Sequence, residues 1–364
     1  MRIPIFLGLR EDKKPEDVKL ERPEPVEEIL EGKQQKSRQS KKEKTESNKK
    51  LKKPPMQKEA ASSSESDRAV STKAHLTNLD KVYWPEEGYT KGDMIRYYQD
   101  IADFILPYLK DRPQSLHRHP QGITEESFFQ KDVQQPLPPW IKTVKIKSES
   151  KGEINYLVCQ DKDDLAYINN LGCIEINPWN SRVKKEDYPD YLVLDLDPVD
   201  VSFPKVIEVA LAGRKVVEKL DMEGWCKTSG GRGLHIYIPL GAKYHFDQVK
   251  DFSKLVCLAI QKQVPGLTSL ERSPDKRQKL VYLDYLQNKL GATMALVYSL
   301  RPKPKAPVSM PLEWKEVNRR LDPLQFNLGS APERLQKKGD LWKKVLGSGI
   351  DMKKSLKLLE RYYT

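Results

Sequence analysis

The run Tyr191-Leu192-Val193-Leu194-Asp195-Leu196-Asp197-Pro198 decides how the rest of the chain is read. Four apolar or β-prone residues lead into two aspartates separated by one leucine, and a proline stops the run. On a strand, residues i and i+2 project to one face, so Asp195 and Asp197 lie side by side while Leu196 points into the core. Like charges held that close repel unless a cation sits between them. The pattern therefore predicts a carboxylate pair gripping Mg²⁺ or Mn²⁺ through hard oxygen ligands. The competing reading is a strand end whose aspartates cap a turn closed by Pro198. Asp-x-Asp alone is too short to separate the two.

Other stretches bear on that choice. Asp284 follows the apolar run Leu280-Val281-Tyr282-Leu283 on a second expected strand. If the two strands adjoin, three carboxylates meet, as a site for two ions about 3.5–4 Å apart requires; otherwise Asp284 is a strand acid facing solvent. Lys227-Thr228-Ser229-Gly230-Gly231-Arg232-Gly233-Leu234-His235 is a glycine loop between strands. Its amides can approach an anion, Ser229 adds a hydroxyl, Arg232 a bidentate contact and His235 a further hydrogen bond. The competing reading is a tight turn, and the Gly-Lys-Ser/Thr ending of a P-loop is absent. Arg272, Lys276, Arg277 and Lys279 precede Asp284, and Tyr298-Ser299-Leu300-Arg301-Pro302 follows it. Phe128 and Phe129 belong either to the core or to a stack on a base.

Composition sets the frame. The chain of 364 residues carries a net charge of +12 with a pI near 9.2, which favours a polyanionic partner such as nucleic acid. Cys159, Cys173, Cys226 and Cys257 have no paired metal-type spacing and read as buried free thiols in a reducing compartment. No apolar run reaches spanning length, so the expectation is a soluble cytoplasmic, nucleoid-associated protein without a membrane partner. Between Lys33 and Lys58, eleven Lys or Arg stand against two Glu, with no aromatic residue. Such a segment cannot offset its ordering entropy by burial and is expected to be a disordered tether over residues 15–74.

Folding is expected from residue 75. One helix is expected across Met94 to Ile105, then helices at Asp164–Leu171, Val206–Leu220, Asp247–Val264, Leu312–Arg320 and Met352–Tyr363. Strands are expected at Cys173–Trp179, at the aspartate run, at Leu234–Leu240 and at Leu280–Leu286. The alternation predicts a mixed α/β (α+β) domain over residues 75–364 rather than a clean parallel wind.

Taken together, Asp195-Leu196-Asp197-Pro198, Ser229-Gly230-Gly231-Arg232-Gly233-Leu234-His235, Asp284-Tyr285-Leu286-Gln287-Asn288 and Tyr298-Ser299-Leu300-Arg301-Pro302 resemble the polymerase domain of bacterial LigD. That is a primase-polymerase module within the archaeo-eukaryotic primase superfamily, and the resemblance runs from about Leu76 to the C-terminus. Residues 1–14 are similar to the end of the OB-fold domain of an ATP-dependent DNA ligase. The resemblance implies a central, mostly antiparallel sheet flanked by helices. It implies a nucleotidyltransferase that adds NTPs or dNTPs to a DNA 3′ end at gaps and double-strand breaks in non-homologous end joining, with two Mn²⁺ or Mg²⁺ ions. Ku and an upstream ligase domain in the same native chain are the implied partners. Asp195, Asp197 and Asp284 match the metal-binding acids. Ser229, Arg232 and His235 match the triphosphate loop, which Arg277 and Arg301 approach. Gln287 matches a position near the nucleotide, Phe129 an aromatic on its base, and Lys81 and Lys91 lysines gripping a 5′-phosphate. Two departures stand out. Asn177 replaces a usual His before Pro-Trp and cannot carry its positive charge. His117 stands where Lys is common, next to Arg118. The rival from another class is a DNA-end-binding scaffold with weak or lost synthesis. A metal-dependent nuclease is a weaker rival, because it leaves the glycine loop unexplained.

Overall fold

The computed structural model describes residues 71–148, 152–273, 276 and 279–363. The ligase-like stretch 1–14, nearly all of the segment 15–74, and Arg277 lie outside the described residues. The fold starts slightly before residue 75, since Thr72 Oγ1 and Lys73 N donate to Asp163 Oδ1 at 2.8 and 2.9 Å.

Thr90 and Asp93 form a reciprocal capping box that opens α1 (Lys91–Asp100). The single helix expected through Ile105 is instead two. The backbone leaves helical values at Ile101 (φ −97°, ψ 7°) before α2 (Ala102–Leu109), and Pro107 further weakens this segment by removing a helical donor. Strands β1 (Gln114–Arg118) and β2 (Phe128–Gln130) follow. Next comes an unforeseen hairpin, β3 (Lys142–Ser148) and β4 (Gly152–Val158), whose Ile146, Ile154 and Tyr156 pack on Trp179 as a small separate cluster. Asp161 caps α3 (Lys162–Asn170), and β5 (Cys173–Pro178) joins β1 and β2 in a three-stranded sheet ordered β2-β1-β5.

The aspartate run is β6 (Tyr191–Val199), followed by α4 (Phe203–Lys219), β7 (Trp225–Thr228), β8 (Leu234–Pro239) and α5 (Phe246–Gln263). Then come β9 (Thr268–Ser269), β10 (Leu280–Asp284) and β11 (Pro311–Leu312). These strands form a six-stranded sheet ordered β9-β10-β6-β8-β7-β11, antiparallel except for the β9–β10 pair. The expected mixed α/β architecture with a mostly antiparallel central sheet is what the chain adopts. Helices α4 and α5 pack on β6, and Leu192, Leu194 and Leu196 are fully buried. Each such leucine contributes about 1.5–3 kcal/mol of burial.

The helix expected at Leu312–Arg320 does not form. Pro311 and Leu312 pair with β7, and only Trp314–Glu316 makes a 3₁₀ turn. Tertiary partners hold the segment instead: Trp314 Nε1 donates to Gly224 O at 2.8 Å, and Glu316 pairs with Arg334 at 2.7 Å. Arg334 comes from α6 (Ala331–Lys338), a helix the sequence patterning did not reveal, and α7 (Met352–Tyr363) closes the fold as expected. All four cysteines are buried and free, and no helix among the described residues is long and apolar enough to cross a membrane.

One buried cation ties the start of β6 to its surroundings. The fully buried Arg112 pairs with Asp190, donates to the carbonyls of Asn180 (2.6 Å) and Trp179 (3.2 Å), and lies 5.2 Å over the Tyr191 ring. Removing one member of a buried pair leaves a charge uncompensated, although Arg182 (2.9 Å) still reaches Asp190. Urea denaturation should show Arg112→Ala lowering unfolding free energy by about 3 kcal/mol. Arg182→Ala, at a half-exposed side chain, should cost under about 1 kcal/mol.

Candidate active site

Strand register assembles the site. Asp195 lies directly opposite Asp284 on β10 and opposite His235 on β8, and His235 in turn lies opposite Lys227 on β7. Directly paired residues share a face, so Lys227, His235, Asp195 and Asp284 form one row across four strands. Asp197 stands two residues further along the same face. Asp195 and His235 approach to 3.4 Å (Oδ1 to Nε2).

The electrostatics of this row are strained. Burial, then Asp197, then Asp284 push the Asp195 carboxyl up to about 7, although Lys227 and Arg301 oppose them. Burial, then Lys227 and Arg301, hold His235 well below its usual value, so its ring is neutral at neutral pH. Lys227 is buried in full, and that burial, together with Arg301, pushes its ammonium down to about 7. Its Nζ donates to Ser309 Oγ at 2.5 Å and Ala295 O at 3.2 Å.

Asp195 and Asp197 open into a cavity of about 400 Å³ lined also by Phe129, Glu175, Asn177, Ser229, Arg232, His235, Gln287, Arg301 and Lys303. Asp284 faces a neighbouring cleft. Its Oδ2 accepts from Gln287 Nε2 at 2.9 Å, and its Oδ1 from Leu286 N at 2.9 Å and Tyr282 Oη at 3.3 Å. The three acids therefore share a face and feel each other's charge. Among the described residues, however, no three acidic, histidine or cysteine side chains are already closed into a metal-ligating cluster.

The glycine loop is a self-braced turn. Ser229 Oγ accepts from Gly231 N and Gly233 N, both at 3.1 Å, so two of the amides expected to face an anion are engaged within the loop. Arg301 Nη1 donates to Ser229 O at 2.6 Å, and its Nε lies 2.7 Å from Glu175 Oε2. Burial alone would raise the Glu175 carboxyl, but His117, Arg301 and Asn177 together hold it below its usual range. Asn177 is buried and its Nδ2 donates to Glu175 O at 3.3 Å.

Phe129 is 58% exposed and stacks flat on His117, with centroids 4.1 Å apart and planes 11° apart. Neither Phe128 nor Phe129 is core. Arg118 does not stand in for a lysine at His117: the register to β5 shifts between the two residues, and Arg118 is held by other partners. It reaches Leu171 O and Gln130 and lies 5.1 Å over the Phe128 ring.

Lys81 and Lys91 come together away from the acids. Lys81 contacts Pro120 O and Gln121, and the buried Lys91 donates to Thr77 O and Asn170 Oδ1, both at 2.8 Å. Burial, then Lys81 and Arg118, push the Lys91 ammonium down to about 8.

Glu175, Lys227 and Lys303 are site residues that sequence reasoning missed. Lys227 stood at the head of the glycine loop and Lys303 two residues after Arg301, but nothing local distinguishes them from solvated lysines.

The site is thus a mostly antiparallel sheet carrying Asp195 in mid-strand on β6 and Asp284 at the end of the adjacent β10, lined also by a glycine loop and several cations. Residues 90–342 match the family described as LigD, primase-polymerase domain, and the chain belongs to that family. The chain is 29% identical over 337 residues to the multifunctional non-homologous end joining protein LigD of Pseudomonas aeruginosa, covering 92% of this chain and 37% of that one. It is 30% identical over 274 residues to the bifunctional non-homologous end joining protein LigD of Bacillus subtilis, covering 75% of this chain and 44% of that one. The chain thus spans well under half the length of these relatives. Among solved structures, the polymerase domain from Mycobacterium tuberculosis ligase D in complex with DNA superposes with a TM-score of 0.71 at 27% identity, covering 77% of this chain and all of that one.

Loop geometry yields a contrast between neighbouring glycines. Gly230 has φ +70°, and a Cβ there would lie 2.5 Å from Arg301 Cγ, whereas a Cβ on Gly231 would meet the flexible end of Lys303 at 2.8 Å and Ser229 Oγ at 3.4 Å. Chemical denaturation should show Gly230→Ala costing about 1–3 kcal/mol. Gly231→Ala should stay within about 0.5 kcal/mol of the parent.

Proposed function

We propose that this domain transfers a nucleotidyl group from an NTP or dNTP to a DNA 3′ end. The observation that carries the reading is that Asp195 and Asp197 line one cavity together with Ser229, Arg232, Arg301 and Lys303. Acids meeting concentrated cations across a nucleotide-sized space suit a triphosphate whose α-phosphate is attacked beside the acids. Membership of the primase-polymerase family supports it.

Asp195, Asp197 and Asp284 are the residues that would hold Mg²⁺ or Mn²⁺. They fit such an ion: all three donors are hard oxygens, and the Asp195 carboxyl is raised by burial and then by Asp197 and Asp284, a charge crowding that a divalent cation relieves. Bound there, the ions favour ionisation of the primer 3′-hydroxyl and offset charge on the departing pyrophosphate. Arg301, preset by Glu175 and Ser229 O, holds the triphosphate with Arg232 and Lys303. Neutral His235 keeps the Asp195 carboxylate in place, and Phe129 offers its open ring face to the base. The 3′-oxygen attacks the α-phosphorus, the bond to the β-phosphate oxygen breaks, and pyrophosphate leaves toward the cationic wall. Lys81 and Lys91 take a 5′-phosphate across the gap. The names of the relatives support a place in non-homologous end joining; Ku and a ligase domain as partners belong to the proposal.

The rival reading, an end-binding scaffold without synthesis, draws on Asn177, which supplies an amide where the family's His supplies a proton. Gapped DNA, nucleotides and Mn²⁺ mixed with the purified chain decide between the two. Extended primer is expected, with Asp195→Ala reducing its rate at least about a hundredfold. No extension by the parent protein, or extension that survives the substitution, sinks the proposal. Metal-dependent nucleotide binding without extension would favour the scaffold.

A pH dependence follows from Lys91. Its charge is lost as pH rises through about 8, and a bound phosphate dianion raises that value because it favours the ammonium. The affinity ratio of 5′-phosphorylated to 5′-hydroxyl gapped DNA, measured by fluorescence anisotropy, should therefore fall between pH 7 and 9. It should be small and flat in Lys91→Ala.

A further inference from the structure

We infer that an apolar cavity sharing Arg232 and Lys303 with the nucleotide cavity takes an aromatic group carried on the nucleotide's terminal phosphate, such as a second nucleoside joined through the phosphate chain. The inference rests on the nucleotidyl-transfer reading above and extends its substrate class.

This cavity measures about 440 Å³, and Arg232 and Lys303 line both it and the nucleotide cavity. Its apolar surface comes from three segments. Pro198, Val201 and Phe203 lead from the end of β6 into α4, Pro304 follows Lys303, and Pro323 and Leu324 open the 3₁₀ turn Pro323–Gln325. The volume falls within the range of about 300–1,000 Å³ found for small-molecule sites, which combine apolar walls with a few polar groups. Among the described residues Asp322 is the one acid in the lining, and its Oδ1 accepts from Leu324 N at 2.9 Å.

The apolar walls are held by the fold. Lys303 O accepts from Trp84 Nε1 at 2.9 Å and from Ala306 N at 3.1 Å, and Lys305 N donates to Glu87 Oε1 at 2.6 Å. These bonds fix the loop that carries Lys303 and Pro304. Val201 and Phe203 pack against the main core. The two cations between the cavities are solvent-accessible, and neither forms an ion pair with a described residue. Partial burial, then Arg301 and Arg232, lower the Lys303 ammonium, and a phosphate between these cations offsets their crowding.

In the nucleotidyl-transfer reading, the α-phosphate sits beside Asp195 and Asp197, and the phosphate chain runs to Arg232 and Lys303. The terminal phosphate then stands where the two cavities share those side chains. A group esterified to it enters the apolar space while its phosphate keeps both cations. A bare anion gains nothing from such walls, because burying charge against apolar groups is costly. The lining therefore favours an apolar substituent over a further phosphate. The reaction is unaltered by the substituent: the 3′-oxygen attacks the α-phosphorus, and the bond to the β-phosphate oxygen breaks. The hydroxyl proton passes to solvent, and pyrophosphate leaves still carrying its aromatic ester.

The test compares ATP with its γ-phenyl and γ-methyl esters by calorimetry on the full chain, with Mn²⁺ and no DNA. The two esters carry the same charge, so the methyl ester controls for the ionisable oxygen lost on esterification. The phenyl ester should bind about tenfold tighter than the methyl ester, as partial burial of one aromatic ring provides. Leu324→Asn makes the wall polar and Leu324→Trp fills the space; each should lower that ratio at least about threefold. ATP affinity should stay within about twofold of the parent in both variants. An aryl azide on the γ-phosphate should photo-cross-link to the Phe203 or Pro323–Gln325 segment. Equal affinity of the two esters overturns the inference, as does a ratio that both variants leave unchanged, or cross-links confined to the Phe129 or Lys81–Lys91 regions. Failure of ATP itself to bind would sink the nucleotidyl-transfer reading and this inference with it. Binding of ATP with no difference between the esters leaves that reading standing and removes this inference alone.

Discussion

The rest of this structure is arranged around mutual repulsion among carboxylates on one sheet face. Asp195 sits in the central strand with Asp284 directly across from it and Asp197 two residues along. Burial and these neighbours lift its carboxyl to about 7, so the site favours either a proton or a cation there. Nothing on β6 itself relieves the strain. The fully buried Leu192, Leu194 and Leu196 on its other face hold the strand in place while its polar face bears the electrostatic cost.

Compensation comes from cations on neighbouring strands and loops that line the same site. Arg301 is fixed between Ser229 O and Glu175, so its guanidinium is oriented before any ligand arrives. Glu175 in turn is shared with His117, which supports the stacked Phe129. The small sheet β2-β1-β5 therefore carries the exposed Phe129 ring, the acid that steadies Arg301, and Asn177 as one unit. Lys227 acts from the same face of the sheet, anchoring Ala295 and Ser309 while placing a buried ammonium near Asp195. Charge balance in the site thus depends on packing between two sheets, and a change on either sheet reaches the other.

Family membership carries the class of fold, and the site's geometry explains which chemistry suits it. The three acids divide between two connected spaces, with Gln287 and Thr293 lining both. The position of Asn177 shows why its replacement for the family's histidine is compatible with the fold. It is buried and hydrogen-bonded to Glu175 O, a role an amide fills without charge.

Local pattern was enough for much of this. Period-two spacing placed Asp195 and Asp197 on one face and Leu196 in the core, and the long amphipathic segments that became α4, α5 and α7 were legible from their spacing, as were β6, β8 and β10. These features depend on residues a few positions apart, where backbone geometry leaves little choice. The segment at Leu312–Arg320 read as a helix because local periodicity cannot register a pairing partner such as β7 or an ion pair such as Glu316–Arg334. The same limit hid Glu175, Lys227 and Lys303, whose roles arise from side chains far away in sequence. It also hid the turn of Asp284 toward Gln287 and the separate partners of His117 and Arg118. The sequence alone determined which residues carry charge and on which face of a strand they stand. Only the tertiary structure decided which charges meet, because strand order and sheet-to-sheet packing bring together groups that no local spacing connects.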